Sequence, residues 1–295
     1  MEAEIQAAEI EAPLEIIAPQ EQVLPLVFAS PHSGSQYPPD FVEGSALDRL
    51  MLRRSEDCFV DDIFGAAPLL GAPLIRALFP RAYVDANREP FELDPNMFLD
   101  ELPAYANTRS PRVAAGLGTI ARVVASGAEI YKAKLSVEEA LARIRRFYWP
   151  YHNALRRMIE ETRARFGYCI LVDCHSMPSV GGPMDRDPGA PRVDFVLGDC
   201  HGAACDALVI DTTAEALAVQ GYNVARNAPY SGGFVTRHYG RPGERIHALQ
   251  IEINRSLYMD ETKIRRGPHL PELAAHMRPV IAALGALDGA LLNGA

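Results

Sequence analysis

Little in this 295-residue chain points to a membrane, a disulfide scaffold or a nucleic acid. No stretch of about 18 apolar residues occurs, so no membrane span is expected. The opening MEAEIQAAEIEAPLEI lacks the basic start and long apolar core of a secretory signal. Cys58, Cys169, Cys174, Cys200 and Cys205 are odd in number and form no CxxC pair. That excludes a regular disulfide framework and suits reduced thiols in a cytoplasmic protein. Positive charge is in deficit: the formal net charge is −9, the wrong sign for a nucleic-acid footprint. An anionic substrate remains compatible through local arginines. Catalytic signatures are scarce too. No GxSxG elbow is present. GLGTI at 116–120 lacks the further residues of a dinucleotide or phosphate loop.

What is present is an ordinary globular composition, 48% hydrophobic and 23% charged. Short apolar runs recur at 24–30, 72–78, 168–176, 194–199, 222–227 and 247–255. Bounded by Pro, Gly or Asp, such runs suit strands covered on both faces. Helical spacing lies between them, at 44–67, 136–166 and 211–221, with Ser136 as a start signal and Pro150 as a break. The apolar stretch from Met277 onwards reads as a packed terminal helix. Alternating strands and helices predict an α/β fold with a largely parallel sheet. Residues 1–20 read as a flexible leader and 21–295 as one domain. The Gly/Pro/Asp-rich segment 177–191 is a long loop, a common place for function.

Most polar residues of chemical interest stand at the ends of apolar runs. His32 follows LVFASP, His175 follows CILVDC, Asn87 and Arg88 follow AYVDA, and Glu252 lies in LQIEINR. In open α/β sheets, ligands bind outside the carboxyl ends of the strands, where such side chains converge. Two imidazoles and a carboxylate with an open fourth position make a common catalytic zinc shell. The carboxylate is sought in SEDCFVDD, where Asp57 and Asp61 are four apart and share a face if the segment is helical. Asp57 is the first choice and Asp61 the alternative. Glu252, flanked by Ile251 and Ile253, points away from them. A buried carboxylate needs a partner: an arginine, as a structural ion pair, or a water for which it acts as general base. Arg88 can polarise a carbonyl or hold a carboxylate through its fork. In YSGGFVTRHYG, the Gly232–Gly233 pair admits close backbone approach, with Thr236 and Arg237 nearby. Ser33 and Ser176 each follow a histidine directly. Strand neighbours face opposite ways, which argues against base–nucleophile pairs.

The segments FASPHSGSQYP, RAYVDANREP, GLGTIARV, YWPYHNAL, LVDCHSMPS, DFVLGDCHGAAC, YSGGFVTRHYG and LQIEINRSLYMDE, in this order, resemble the N-formylglutamate amidohydrolase family. The likeness runs from about residue 24 to residue 265. It extends distantly to the zinc carboxypeptidases and to aspartoacylase. The fold it implies is a three-layer α/β/α arrangement with a mixed sheet. The activity it implies is hydrolysis of N-formyl-L-glutamate to formate and L-glutamate, a step in histidine degradation. By resemblance His32 and His175 bind zinc, Glu252 is the general base, and Asn87 and Arg88 meet the substrate. Gly232, Gly233, Thr236, Arg237 and Arg255 join them at the substrate end. The carboxypeptidases carry His-x-x-Glu, whereas Ser35 stands three residues after His32; the acidic ligand must come from Asp57 or Asp61. The alternatives are a related hydrolase of another N-acyl amino acid and a non-catalytic small-molecule binding protein on the same fold. The expected partner is a small anionic N-acyl amino acid, with neither nucleic acid nor membrane. Oligomeric state is not readable.

Overall fold

The computed structural model describes residues 9–183, 185 and 187–292. Seven strands form one sheet: β1 (Leu14–Ile17), β2 (Leu26–Ser30), β3 (Leu74–Ala77), β4 (Cys169–Met177), β5 (Phe195–Gly198), β6 (Val224–Arg226) and β7 (Ile246–Asn254). Their spatial order is β1-β3-β2-β4-β7-β5-β6. The inner pairs β3/β2, β2/β4 and β4/β7 are parallel, while β1/β3 and β5/β7 are antiparallel. The sheet is therefore mixed and largely parallel. Every residue of β4 and β7 is buried, as expected for central strands covered on both sides.

Two apolar layers cover it. Ile170, Val172, Leu249 and Ile251 pack on one side with the helices Val60–Ile63, Ala207–Val219 and Leu270–Gly285. Cys169, Leu171, Ile246 and Ala248 face the other side. There they meet the helices Val137–Arg143, Trp149–Phe166 and Phe234–Tyr239. The three-layer α/β/α arrangement follows. On the second side the strands change character along their length. Beyond Leu171 come Asp173 and His175, and beyond Ala248 come Gln250 and Glu252. A period of two keeps all four on that face. The register sets Asp173 opposite Gln250 and His175 opposite Glu252. A polar floor is thus built at the carboxyl ends of the two central strands.

Three local expectations change. The segment 44–67 is not one helix: Asp57 lies in a link between the helices Arg49–Arg53 and Val60–Ile63. The break is fixed by Asp57 N–H donating to the His32 carbonyl (3.0 Å) and by left-handed Phe59 (φ 65°). Asp57 and Asp61 therefore share no helix face. The helix expected from Asp211 begins at Ala207, capped by Asp206 accepting from Leu208 N–H. Thr213 Oγ1 bonds back to the Val209 carbonyl (2.8 Å) inside the helix. Strand β1 falls within the segment expected as a leader, where Leu14 and Ile16 pack on the second core layer. All five cysteines are unpaired. Among the described residues no helix is long and apolar enough to cross a membrane.

Candidate active site

His32 leaves the end of β2, His175 lies near the end of β4, and the link at Asp57 folds over both. All three are buried, 1–3% exposed. Asp57 Oδ2 lies 3.3 Å from His32 Nδ1 and 2.9 Å from His175 Nδ1. Its other oxygen, Oδ1, accepts from Arg255 Nη2 (3.0 Å) and faces Ser176 Oγ (3.4 Å). The outer histidine nitrogens are also held. His32 Nε2 donates to Asp85 Oδ1 (2.7 Å), and His175 Nε2 to Asp173 Oδ1 (2.9 Å). Such carboxylate partners fix the tautomer and ring orientation of metal-binding histidines. With the Nε2 protons engaged, two Nδ1 lone pairs and a carboxylate oxygen face one another. Three acceptors in that position call for a cation or for protons between them.

The donor set fits a metal. One ligand atom from each of His32, Asp57 and His175 lies within 4.8 Å of the others. Zinc bonds of ~2.0–2.1 Å in a tetrahedral shell require donor separations of roughly 3.3 Å, close to the two Asp57–histidine separations of 3.3 and 2.9 Å. Burial opposes ionisation of Asp57, yet its hydrogen bonds to His175 and His32 hold its pKa well below the carboxylate range. Burial likewise opposes charging of His175. Asp173, Asp57 and Glu252 outweigh it and push that pKa well above its ordinary value. A metal entering this group would therefore compete with a proton on His175.

Glu252 sits beside this group. Its Oε1 accepts from Gln250 Nε2 (2.8 Å), and it forms no ion pair among the described residues. Of the two sequence readings, the structural ion pair therefore lacks its arginine. Burial raises the Glu252 pKa to about 7, with His175 pulling down and Asp57 pushing up. Asn87 is a hub. Its Nδ2 lies 3.0 Å from His175 Nε2, and its Oδ1 accepts from Val235 N–H (2.7 Å). Gly233 presses so closely on Asn87 that a Cβ there would fall 2.3 Å from Nδ2. The glycine is needed for this contact. Arg88 Nε donates to the Leu117 carbonyl (2.9 Å) and Nη1 to the Asn87 carbonyl (2.9 Å). Burial lowers its pKa to about 10, so it stays charged at neutral pH.

Several sequence candidates lie elsewhere. Asp61 is outside the histidine group and pairs with Arg76 Nη1 (2.5 Å). The Arg255 fork, expected at the substrate end, is engaged by Asp57, by Ser176 Oγ (3.1 Å) and by the Arg54 carbonyl (3.2 Å). Thr236 Oγ1 donates to Asp173 Oδ2 (3.0 Å) and so steadies a histidine partner. Ser33 Oγ donates to the Asp57 carbonyl (3.1 Å), tying the link in place. Asp85, Asp173 and Gln250 escaped the sequence reading. For Asp173 and Gln250 the signal was spacing: they stand two residues before His175 and Glu252, and i,i+2 positions share a strand face. Asp85 lies outside any strand and carries no such signal.

Comparison with known proteins gives a consistent set. A family model described as N-formylglutamate amidohydrolase matches residues 24–259. N-formylglutamate deformylase of Pseudomonas putida is 32% identical over 243 residues, covering 81% of this chain and 84% of that protein. The protein of the same name from Pseudomonas aeruginosa is 30% identical over 250 residues, covering 84% and 86%. Among solved structures, an N-formylglutamate amidohydrolase from Ralstonia eutropha JMP134 is 37% identical. It superposes with a TM-score of 0.83 over 92% of this chain and 96% of its own.

Proposed function

The chain belongs to the N-formylglutamate amidohydrolase family, a hydrolase of a linear amide bond, and from that premise we propose metal-dependent conversion of N-formyl-L-glutamate to formate and L-glutamate. The carrying observation is the buried convergence of His32, Asp57 and His175 with Glu252 alongside. We assign His32, Asp57 and His175 as the ligands of a divalent metal, zinc by the nitrogen and oxygen donor set. Such an ion supplies a lowered water pKa and polarises a carbonyl.

The protein's own groups do the rest. Glu252, with a pKa near neutrality, takes a proton from the attacking water and returns it to the nitrogen as the C–N bond breaks. Its lack of an arginine partner leaves it free to cycle. Arg88, charged and fixed by two carbonyls, faces the charge that develops on the formyl oxygen. Asp173 keeps His175 in place, Asn87 stands beside it at the substrate end, and Arg255 holds Asp57. Gly232, Gly233, Thr236 and Arg237 bring the segment 232–237 to the substrate end. With β1 part of the sheet, residues 14–292 act as one catalytic domain, in the cytoplasm and in histidine degradation, as the family resemblance implies.

A formate-release assay on N-formylglutamate, N-formylaspartate and N-acetylglutamate, before and after chelation, tests this reading. N-formylglutamate should react fastest, and chelation should abolish turnover until zinc is restored. Full activity after exhaustive chelation would remove the metal from the mechanism. Absence of formate from N-formylglutamate would remove the substrate.

A further inference from the structure

We propose that Arg112, together with Arg237, grips a carboxylate of the substrate and thereby sets the preference for a dicarboxylic N-acyl amino acid. This rests on the N-formylglutamate reading above. A dianion entering a chain of net charge −9 needs guanidinium groups whose donors are still available. Most arginines around the site do not qualify. Arg255 is engaged by Asp57, Ser176 and the Arg54 carbonyl. Arg81 donates to Asp85 (3.0 Å) and lies 3.9 Å from Asp57. Arg88 is engaged by two carbonyls and lies 3.6 Å from Asp85.

Arg112 and Arg237 differ. Arg112, on the short helix Pro111–Ala114, is half-buried. Its guanidinium has no hydrogen-bond or ion-pair partner among the described residues. Its carbonyl accepts from Leu117 N–H (2.8 Å), and the Leu117 carbonyl is the one that holds Arg88. Arg237 is exposed and leans on the Cys200 thiol. It rides on the helix Phe234–Tyr239, whose first turn binds Asn87 and Asp173 through Val235 and Thr236. The two cations feel each other. Burial, then Arg237 and Arg81, hold the Arg112 pKa below the usual range, against Asp85 and Glu92. Asp85 and Glu92 act on it only from a distance; a partly desolvated guanidinium with no carboxylate bonded to it has its fork open to a bidentate one.

The test compares kcat/KM for N-formylglutamate with that for its two amides, N-formylglutamine and N-formylisoglutamine. It uses the wild type and the Arg112→Met, Arg112→Lys and Arg237→Met variants. The preference is a ratio within one preparation, so loss of folded protein cancels. Arg112→Met should lower the preference over one amide by roughly tenfold or more, mainly through KM, because one carboxylate has lost its partner. Arg112→Lys should lower it less, and Arg237→Met should lower the same ratio. The amide affected tells which carboxylate is held. Preferences for both amides within about twofold of wild type in Arg112→Met would overturn the assignment. An effect of Arg237→Met confined to the other amide would overturn the pairing. Wild-type inactivity on N-formylglutamate is a separate result, which overturns the substrate reading itself.

Discussion

At the scale of single residues, the central contrast is between two acids in one site. Asp57 is surrounded by two imidazoles and the Arg255 guanidinium and stays ionised. Glu252 has burial without a cationic hydrogen-bond partner, and its pKa rises to about 7. Environments that push two carboxyl groups apart in this way mark a ligand and a base. Glu252→Gln preserves shape and the hydrogen bond to Gln250 while removing the proton acceptor. It should retain stoichiometric zinc and lose about 10²–10⁴-fold in kcat, the usual worth of a general base. Metal analysis alongside steady-state kinetics checks both halves, and a kcat near that of the wild type would sink the role. Glu252 was legible because a lone carboxylate between isoleucines has to face away from them. Asp85 and Asp173 were not. Each reads as one more polar residue at a strand end until its bond to a histidine is seen.

At the scale of elements, the site is held from behind by helices that contribute no metal ligand. From the sequence, Pro150 is expected to divide a long helix. The structure places a π-helical turn at Ile144–Tyr148 just before it, and the helix resumes at Trp149. Proline has no N–H to donate to residue 146, so the ladder must reorganise there; π turns of this sort recur at functional sites. Here the turn presents Tyr148, whose hydroxyl donates to the Arg88 carbonyl (2.8 Å). One turn on, His152 Nε2 donates to the Ala86 carbonyl (2.8 Å). Burial lowers the His152 pKa to about 4, so this histidine is neutral and structural. Together the two side chains fix the Ala86–Asn87–Arg88 backbone. Tyr148→Phe leaves the Arg88 carbonyl short of a buried donor, at a cost of about 1–3 kcal/mol. Thermal unfolding should register it, and kcat/KM should fall as Arg88 loosens; a kcat/KM equal to wild type would uncouple this helix from the site. Strands and the proline break were readable because apolar runs and a missing N–H are local facts. The split of residues 44–67 was not. It arises from Asp57 bonding to His32, 25 residues away in sequence.

At the scale of the molecule, the site is a junction through which much of the sheet is tied together. His32 extends β2, His175 belongs to β4 and Glu252 to β7, while Asp57 and Asp85 come from segments outside these strands. A ligand that binds only the folded arrangement stabilises it in proportion to its saturation, so chelation should lower Tm. The pH dependence of that loss follows from two groups. The His175 pKa is raised on folding, so its proton contributes stability below the unfolded pKa of ~6.5, lost as pH rises through the higher folded value. Glu252, raised from 4.5 to about 7, takes up charge unfavourably, so stability falls as pH climbs across that interval. Both effects weaken the metal-free fold as pH increases. Asp57 and Asp85, whose pKa values are depressed, add stability above the ordinary aspartate range. They are already ionised in this window and do not oppose the trend. Metal must displace the His175 proton, so its binding strengthens with pH while the fold without it weakens. The difference in Tm between zinc-loaded and chelated protein should therefore widen from pH 6 to pH 8.5. Scanning calorimetry at fixed free zinc checks it. A gap that narrows or stays constant would mean that His175 holds no exchangeable proton at the junction.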